Sequence, residues 1–144
     1  MIAVKVQLAQ KNNCQKVSKL LKILDTENYF FSNPKDIDQY INKKQCYIAI
    51  QNKQIIGTLI LRQEDQSYEI YLLVSKEKGG GRALIEFAVK KCKQDKILKL
   101  WCWSLSRYQA KGFYQKLGFK ESFLLKKQWY GEDCYFFGRV IDLK

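Results

Sequence analysis

Apolar and polar residues alternate at the start of the chain. Ile2, Val4, Val6 and Leu8 fall on one face, which predicts a half-buried strand over 2–8. The period then lengthens. Val17, Leu20, Leu21 and Leu24 follow the i, i+3, i+4, i+7 stripe of an amphipathic helix, with Asn12 or Asn13 placed to cap it. Asn33-Pro34 opens a second, short helix whose apolar face is Ile37, Tyr40 and Ile41. Two β-rich runs, 46–50 and 55–61, joined by the polar stretch 51–54, predict a hairpin. Residues 68–74 form another β-prone run. Three consecutive glycines follow, and a helix is expected over 82–93 with Leu84, Ile85, Ala88, Val89 and Cys92 inward. Residues 97–104 read as a strand, with Leu98, Leu100 and Cys102 set against Ile97, Lys99, Trp101 and Trp103. A helix over 107–117 is stopped by Gly118. The last two strands, 120–130 and 134–141, are expected to turn through Gly131-Glu132-Asp133.

The predicted order is β-α-α-β-β-β-α-β-α-β-β. Adjacent hairpins imply antiparallel pairing, whereas strand–helix–strand around 70–104 requires a parallel crossover. An α/β fold follows: a mixed sheet flanked by helices. The length of 144 residues fits a single domain spanning 1–144. No apolar run approaches the ~20 residues that span a bilayer, so no membrane partner is expected. The N-terminus lacks the basic start and unbroken apolar stretch of a secretion signal, so a cytoplasmic protein is expected.

Composition narrows the chemistry. There is no His, which excludes His-based triads, HExxH zinc sites and CCHH fingers. Acid–base work must fall to Glu, Asp, Tyr, Cys, Lys or water. Cys14, Cys46, Cys92, Cys102 and Cys134 are odd in number, widely spaced and without a CxxC. They are expected to be free thiols, and no metal site is expected. The net charge of +12 favours anionic partners such as RNA or an acidic protein. Only Arg62, Arg82, Arg107 and Arg139 are arginines, and specific base reading leans on bidentate Arg. This Lys-heavy surface therefore argues weakly against sequence-specific DNA binding.

The segment 72–84 runs strand, glycine-rich loop, helix. Gly79, Gly80 and Gly81 allow a sharp turn and leave N–H groups uncovered by side chains. The helix N-terminus behind them adds unpaired donors and partial positive charge, a cradle for phosphate or pyrophosphate. Lys76, Lys78 and Arg82 surround it with positive charge. The dinucleotide fingerprint fails at Leu84, and the Walker loop fails at Arg82-Ala83.

Residues 110–119, Ala-Lys-Gly-Phe-Tyr-Gln-Lys-Leu-Gly-Phe, direct the reading further. Together with the glycine loop they resemble the GCN5-related N-acetyltransferase (GNAT) family, in which a [Q/R]-x-x-G-x-[G/A] loop precedes the third helix and the fourth helix ends in A-x-x-F-Y-x-K-x-G-F. Tyr130-Gly131-Glu132-Asp133 also looks like the branch of the family that acetylates protein N-termini. The resemblance covers about 45–141. It implies a mostly antiparallel sheet of about seven strands with about four helices, and acetyl-CoA as co-substrate. The implied reaction is acetyl transfer to a primary amine by direct attack: a protein or peptide N-terminus, a lysine or a small amine.

The resemblance also implies site residues. Gly79, Gly80, Gly81, Arg82 and Ala83 would hold the pyrophosphate of acetyl-CoA, with Lys76 and Lys78 nearby. Leu72, Leu73 and Val74 would pair with the pantetheine arm, and the N–H of Leu73 or Val74 would polarise the acetyl carbonyl. Tyr114 would protonate the departing thiolate. Glu69 is the candidate base for the amine, with Glu64 and Asp65 second. Three features depart from the family pattern. The loop is about three residues short and its leading Gln/Arg is replaced by Lys76 or absent. Arg107 stands where the family often has an Asn that meets the CoA arm, so it would contact a phosphate or nothing. Gly112 interrupts the last helix. Tyr29, Phe30, Phe31, Trp101, Trp103 and Trp129 are candidates for an acceptor wall, and the positive charge disfavours a polycationic acceptor. Two other readings compete: an aminoacyl-tRNA-acetylating toxin of the same fold, and a non-catalytic CoA- or nucleic-acid-binding module. A monomer or homodimer fits each.

Overall fold

The structure is a computed structural model and describes residues 3–144. Ile2, the first position of the expected N-terminal alternation, lies outside them. The elements are β1 (Lys5–Leu8), α1 (Cys14–Leu21), α2 (Pro34–Asn42), β2 (Cys46–Gln51), β3 (Gln54–Glu64), β4 (Ser67–Ser75), α3 (Gly80–Gln94), β5 (Lys99–Leu105), α4 (Lys111–Lys116), β6 (Glu121–Trp129) and β7 (Glu132–Val140). The strands form one seven-stranded sheet in the order β1-β2-β3-β4-β5-β7-β6. β1–β2, β2–β3, β5–β7 and β6–β7 are antiparallel, and β4–β5 is parallel. This is the mixed, mostly antiparallel sheet with four helices that the sequence predicts.

Turn chemistry explains the hairpins. Asn52 and Lys53 join β2 to β3 with φ of 54° and 62°, the two positive values of a type I′ turn. Tyr130 and Gly131 do the same between β6 and β7, with φ of 48° and 80°. The turn expected at 131–133 is therefore shifted toward the N-terminus, because Glu132 already pairs with Trp129. Asn33 caps α2 as expected, its Oδ1 accepting the Lys35 N–H at 3.0 Å. Asn13 behaves differently. Its Oδ1 accepts the N–H of Gln10 in a 3₁₀ turn, so α1 has no side-chain cap. The expected helix over 107–117 is broken: 106–108 is a 3₁₀ turn, Gln109 turns left-handed, and only Lys111–Lys116 is α-helical.

The chain divides into two compact units. One comprises the residues up to Leu61 with Leu72–Phe87, the other Arg62–Tyr71 with Ala88–Lys144. In the first, Val17 and Leu21 of α1, Ile37 of α2, Ile48 of β2, Leu59 of β3 and Leu84 of α3 are fully buried. Thr58 is buried among them, and its hydroxyl donates to the Tyr47 carbonyl at 2.9 Å. In the second, Leu100 and Cys102 of β5, Phe119 after α4 and Phe137 of β7 are buried. The Tyr68 hydroxyl donates to Asp95 at the end of α3, which also accepts from Lys91 at 3.0 Å.

Gly57 of β3 lies against β4 and α3. A Cβ there would sit 2.8 Å from the Val74 carbonyl oxygen and 3.2 Å from a Leu84 methyl. Backbone cannot swing aside, so Gly57→Ala is expected to cost about 1–3 kcal/mol as overpacking. The readout is a thermal midpoint lower by roughly 3–10 °C.

Candidate active site

The glycine loop is shorter than its three glycines suggest, because two of them are helical. β4 ends at Ser75 and α3 begins at Gly80. Gly79 alone takes the left-handed conformation, with φ of 92°, so it turns the chain into the helix. The turn is fixed by its own hydrogen bonds. The Ser75 hydroxyl donates to the Glu77 carbonyl at 2.8 Å, the Lys76 N–H to Ile56 at 2.9 Å, and the Gly80 N–H to Glu77 at 3.2 Å. Gly80 is buried under Ser75, and a Cβ on it would meet Ser75 Oγ at 2.2 Å.

The first turn of α3 leaves two donors over. The Ala83 N–H bonds to the Gly79 carbonyl at 3.0 Å, and that of Gly80 is committed to Glu77. The N–H groups of Gly81 and Arg82 have no acceptor among the described residues. They are donors at the positive end of a 15-residue helix. Lys76, Lys78 and Arg82 are exposed around the turn. Arg82 Nε pairs with Glu86 at 3.0 Å on a largely exposed helix surface, a contact of little strength that an anion can displace.

On β4, Leu72 is buried and Leu73 and Val74 are half-buried. The Val74 carbonyl faces Gly57 of β3. Strand alternation therefore sends the N–H and C=O of Leu73 to the opposite edge. The β4–β5 ladder registers Tyr68 with Leu100 and Glu69 with Trp101, at the N-terminal part of β4. Glu69 is 5% exposed, and its Oε1 accepts from Arg62 Nε at 3.1 Å and Nη2 at 2.7 Å. The Arg62 guanidinium lies 3.8 Å from the Tyr71 ring centre. Glu64 and Asp65 are exposed at the end of β3 and in the turn after it.

Tyr114 lies on α4 and is 6% exposed. Its ring stacks on Phe137 of β7 at 4.9 Å between centres and meets Phe119 edge-on at 5.1 Å. The Cys102 thiol of β5 lies close enough to act on its ionisation. Burial, then the Cys102 partner, raises the phenol well above 10.0, so it stays protonated throughout the physiological range. Burial pushes Cys102 up to about 12, and Cys92 likewise. All five cysteines are free and buried, and no cluster among the described residues could hold a metal ion.

Arg107 is in the 3₁₀ turn before α4, and its Nε is committed to Glu132 Oε1 at 2.7 Å. Gly112 has nothing within 4 Å of an added Cβ. Of the aromatic candidates, Trp101, Trp103 and Phe136 pack together with centres 5.3–5.8 Å apart. Tyr29 and Phe31 meet at 4.8 Å, with the Tyr29 hydroxyl on Asp36 at 3.2 Å. Sequence reasoning did not find Cys102 as the Tyr114 partner. The inward alternation Leu100, Cys102 is a signal for its face but not for its neighbour. Nor did it pair Arg62 with Glu69, though both lie on facing strands of one hairpin.

Residues 42–121, more than half of the chain, match the acetyltransferase (GNAT) domain. The chain belongs to the GNAT acetyltransferase family. No curated protein sequence matches it. Among solved structures it is similar to Ard1 from Thermoplasma volcanium, at 17% identity over 97% of this chain and 99% of that one, with a TM-score of 0.80. It is also similar to the PaiA N-acetyltransferase of Thermoplasma acidophilum in complex with coenzyme A, at 14% identity over 96% and 99%, TM-score 0.77. The ribosomal-protein-S18-alanine N-acetyltransferase of Escherichia coli shares 15% identity over 99% and 96%, TM-score 0.77.

The buried acids give a pH signature. Unfolded, thiols ionise near 9.0 and the tyrosine near 10.0, whereas in the fold both hold their protons to higher pH. Stability is therefore fully present below about 9 and falls as pH rises through the raised values, because the folded state then binds more protons than the unfolded one. Urea denaturation from pH 7 to roughly 11, which spans the ordinary ionisation of these groups, is expected to show the onset of this fall. Tyr114→Phe is expected to flatten only the part above the ordinary tyrosine value.

Proposed function

We propose that the protein transfers acetyl from acetyl-CoA to a primary amine by direct attack, and that the free Gly81 and Arg82 N–H groups receive the pyrophosphate. Those two donors are the observation that carries the reading: they answer a doubly charged anion, and Lys76, Lys78 and Arg82 add charge beside them. Gly79, Gly80 and Ala83 shape the turn around it. Acetyl-CoA would supply the activated thioester, and two of the similar structures contain coenzyme A, one of them with a peptide.

The remaining roles follow from where each group points. Leu73 presents its N–H and C=O on the edge of β4 away from β3, so its N–H, rather than that of Val74, is the one assigned to the pantetheine arm and acetyl oxygen. Leu72 and Val74 pack the strand behind it. Tyr114 donates its hydroxyl proton to the departing sulfur. Glu69, with Oε1 held by Arg62, takes the amine's proton through water on Oε2. The amine nitrogen bonds to the acetyl carbon as the carbon–sulfur bond breaks, and the sulfur leaves as the thiol. Arg107 is assigned to Glu132 and not to the cofactor. The acceptor class favoured by the +12 charge is one with acidic character, such as the N-terminus of an acidic peptide.

The test is release of the CoA thiol with an amine-terminated peptide library as acceptor. Tyr114→Phe is expected to lower kcat about 10²-fold or more, as for loss of a general acid. Acetyl-CoA affinity by calorimetry should change less than about twofold. Unchanged turnover would remove Tyr114 from its role. Gly80→Ala is expected to do the reverse: weaker acetyl-CoA binding by about tenfold, one misplaced strong hydrogen bond's worth, because the added methyl displaces Ser75 and the turn it fixes.

A further inference from the structure

We propose that Arg139 of β7 is a positioning residue that sets Tyr114 by clamping the C-terminus of α4. The proposal rests on the reading of Tyr114 given above, and on contacts that do not depend on it. α4 has six residues, far fewer than an isolated helix needs to persist in water. Its place must come from what holds it.

β7 holds it at two points on one face. Phe137, paired with Cys102, lies under the Tyr114 ring. Arg139, two residues on and paired with Leu100, therefore projects to the same face. Its Nη1 donates to the Leu117 carbonyl at 2.6 Å, the C-cap position of α4. That carbonyl is one of the acceptors a helix end leaves unmatched, and a cation there also answers the negative end of the helix. The guanidinium lies over Gly118, where an added Cβ would come 3.1 Å from Nη1 and 3.3 Å from Cζ. Gly118 also needs its φ of 88° to end the helix. One residue thus serves two needs: a left-handed turn, and room for the arginine above it.

The local bonds pass the constraint to Tyr114. The N–H groups of Leu117 and Phe119 both donate to the Tyr114 carbonyl at 3.1 Å. A shift of the Leu117 carbonyl therefore moves the residue whose hydroxyl must reach the sulfur. Arg139 has no part in the proposed binding of the cofactor. Its loss should therefore appear in turnover and not in cofactor binding.

The experiment is a cycle of Arg139→Gln, Tyr114→Phe and the double variant, with Arg139→Lys as the conservative control. Each is assayed for CoA-thiol release with the peptide acceptors, for acetyl-CoA affinity, and by NMR of the Tyr114 ring, assigned from its loss in Tyr114→Phe. Arg139→Gln is expected to lower kcat at least tenfold with acetyl-CoA affinity within twofold, and to move or broaden the ring signals. Arg139→Lys should recover part of both. In the Tyr114→Phe background, Arg139→Gln should change kcat less than twofold. An equal loss of kcat with and without the Tyr114 hydroxyl would overturn the proposal, since Arg139 would then support the fold at large. Unmoved ring signals would overturn it too. If Tyr114→Phe alone keeps full turnover, the proposed role of Tyr114 fails, and the ring signals alone then decide whether Arg139 sets its position.

Discussion

Because β4 and β5 run parallel, the chain has to travel back between them, and α3 is the return path. The rest of the chemistry hangs on that requirement. A crossover helix must begin where β4 ends, so its N-terminus arrives at the C-terminal end of the strand. Only four residues, 76–79, separate the two elements. Such a short connection forces one left-handed residue, Gly79, and one residue without a side chain packed on Ser75, Gly80. The donors of Gly81 and Arg82 are a by-product of this geometry, since the turn satisfies their neighbours and not them.

The second unit solves a different problem. Burial keeps the Tyr114 phenol protonated. The ring is walled by Phe137 and Phe119, and the Cys102 thiol adds to the effect of burial on its hydroxyl. A helix of six residues cannot hold that arrangement unaided, so the neighbouring strand does.

Much of this was legible in the sequence. Alternation at 98–103 and the helical stripe at 84–92 placed strand and helix, and the 110–119 motif with the glycines pointed to the family whose model the chain matches. Boundaries were less legible where glycine was read as loop. Gly80 and Gly81 are helical, because packing against Ser75 and the α3 hydrogen bonds outweigh glycine's freedom. The break at Gln109 gave no signal, since no Gly or Pro marks it; there the chain turns left-handed after a local bond from the Gln109 N–H to the Ser106 carbonyl. Pairings between distant residues, such as Arg62 with Glu69, Arg107 with Glu132 and Arg139 with Leu117, depend on strand register. Register is fixed by the whole sheet and not by any local pattern.

The proposed receipt of the cofactor's pyrophosphate by two backbone donors at the start of α3 can be read from those donors themselves. Titration of the ¹⁵N-labelled protein with coenzyme A, followed through its backbone amide signals, tests it most directly. Gly81 and Arg82 are expected to show the largest downfield amide proton shifts, with inorganic pyrophosphate giving a weaker version of the same pattern. Shifts confined to lysine-rich surface elsewhere, with Gly81 and Arg82 unmoved at saturation, would contradict the claim.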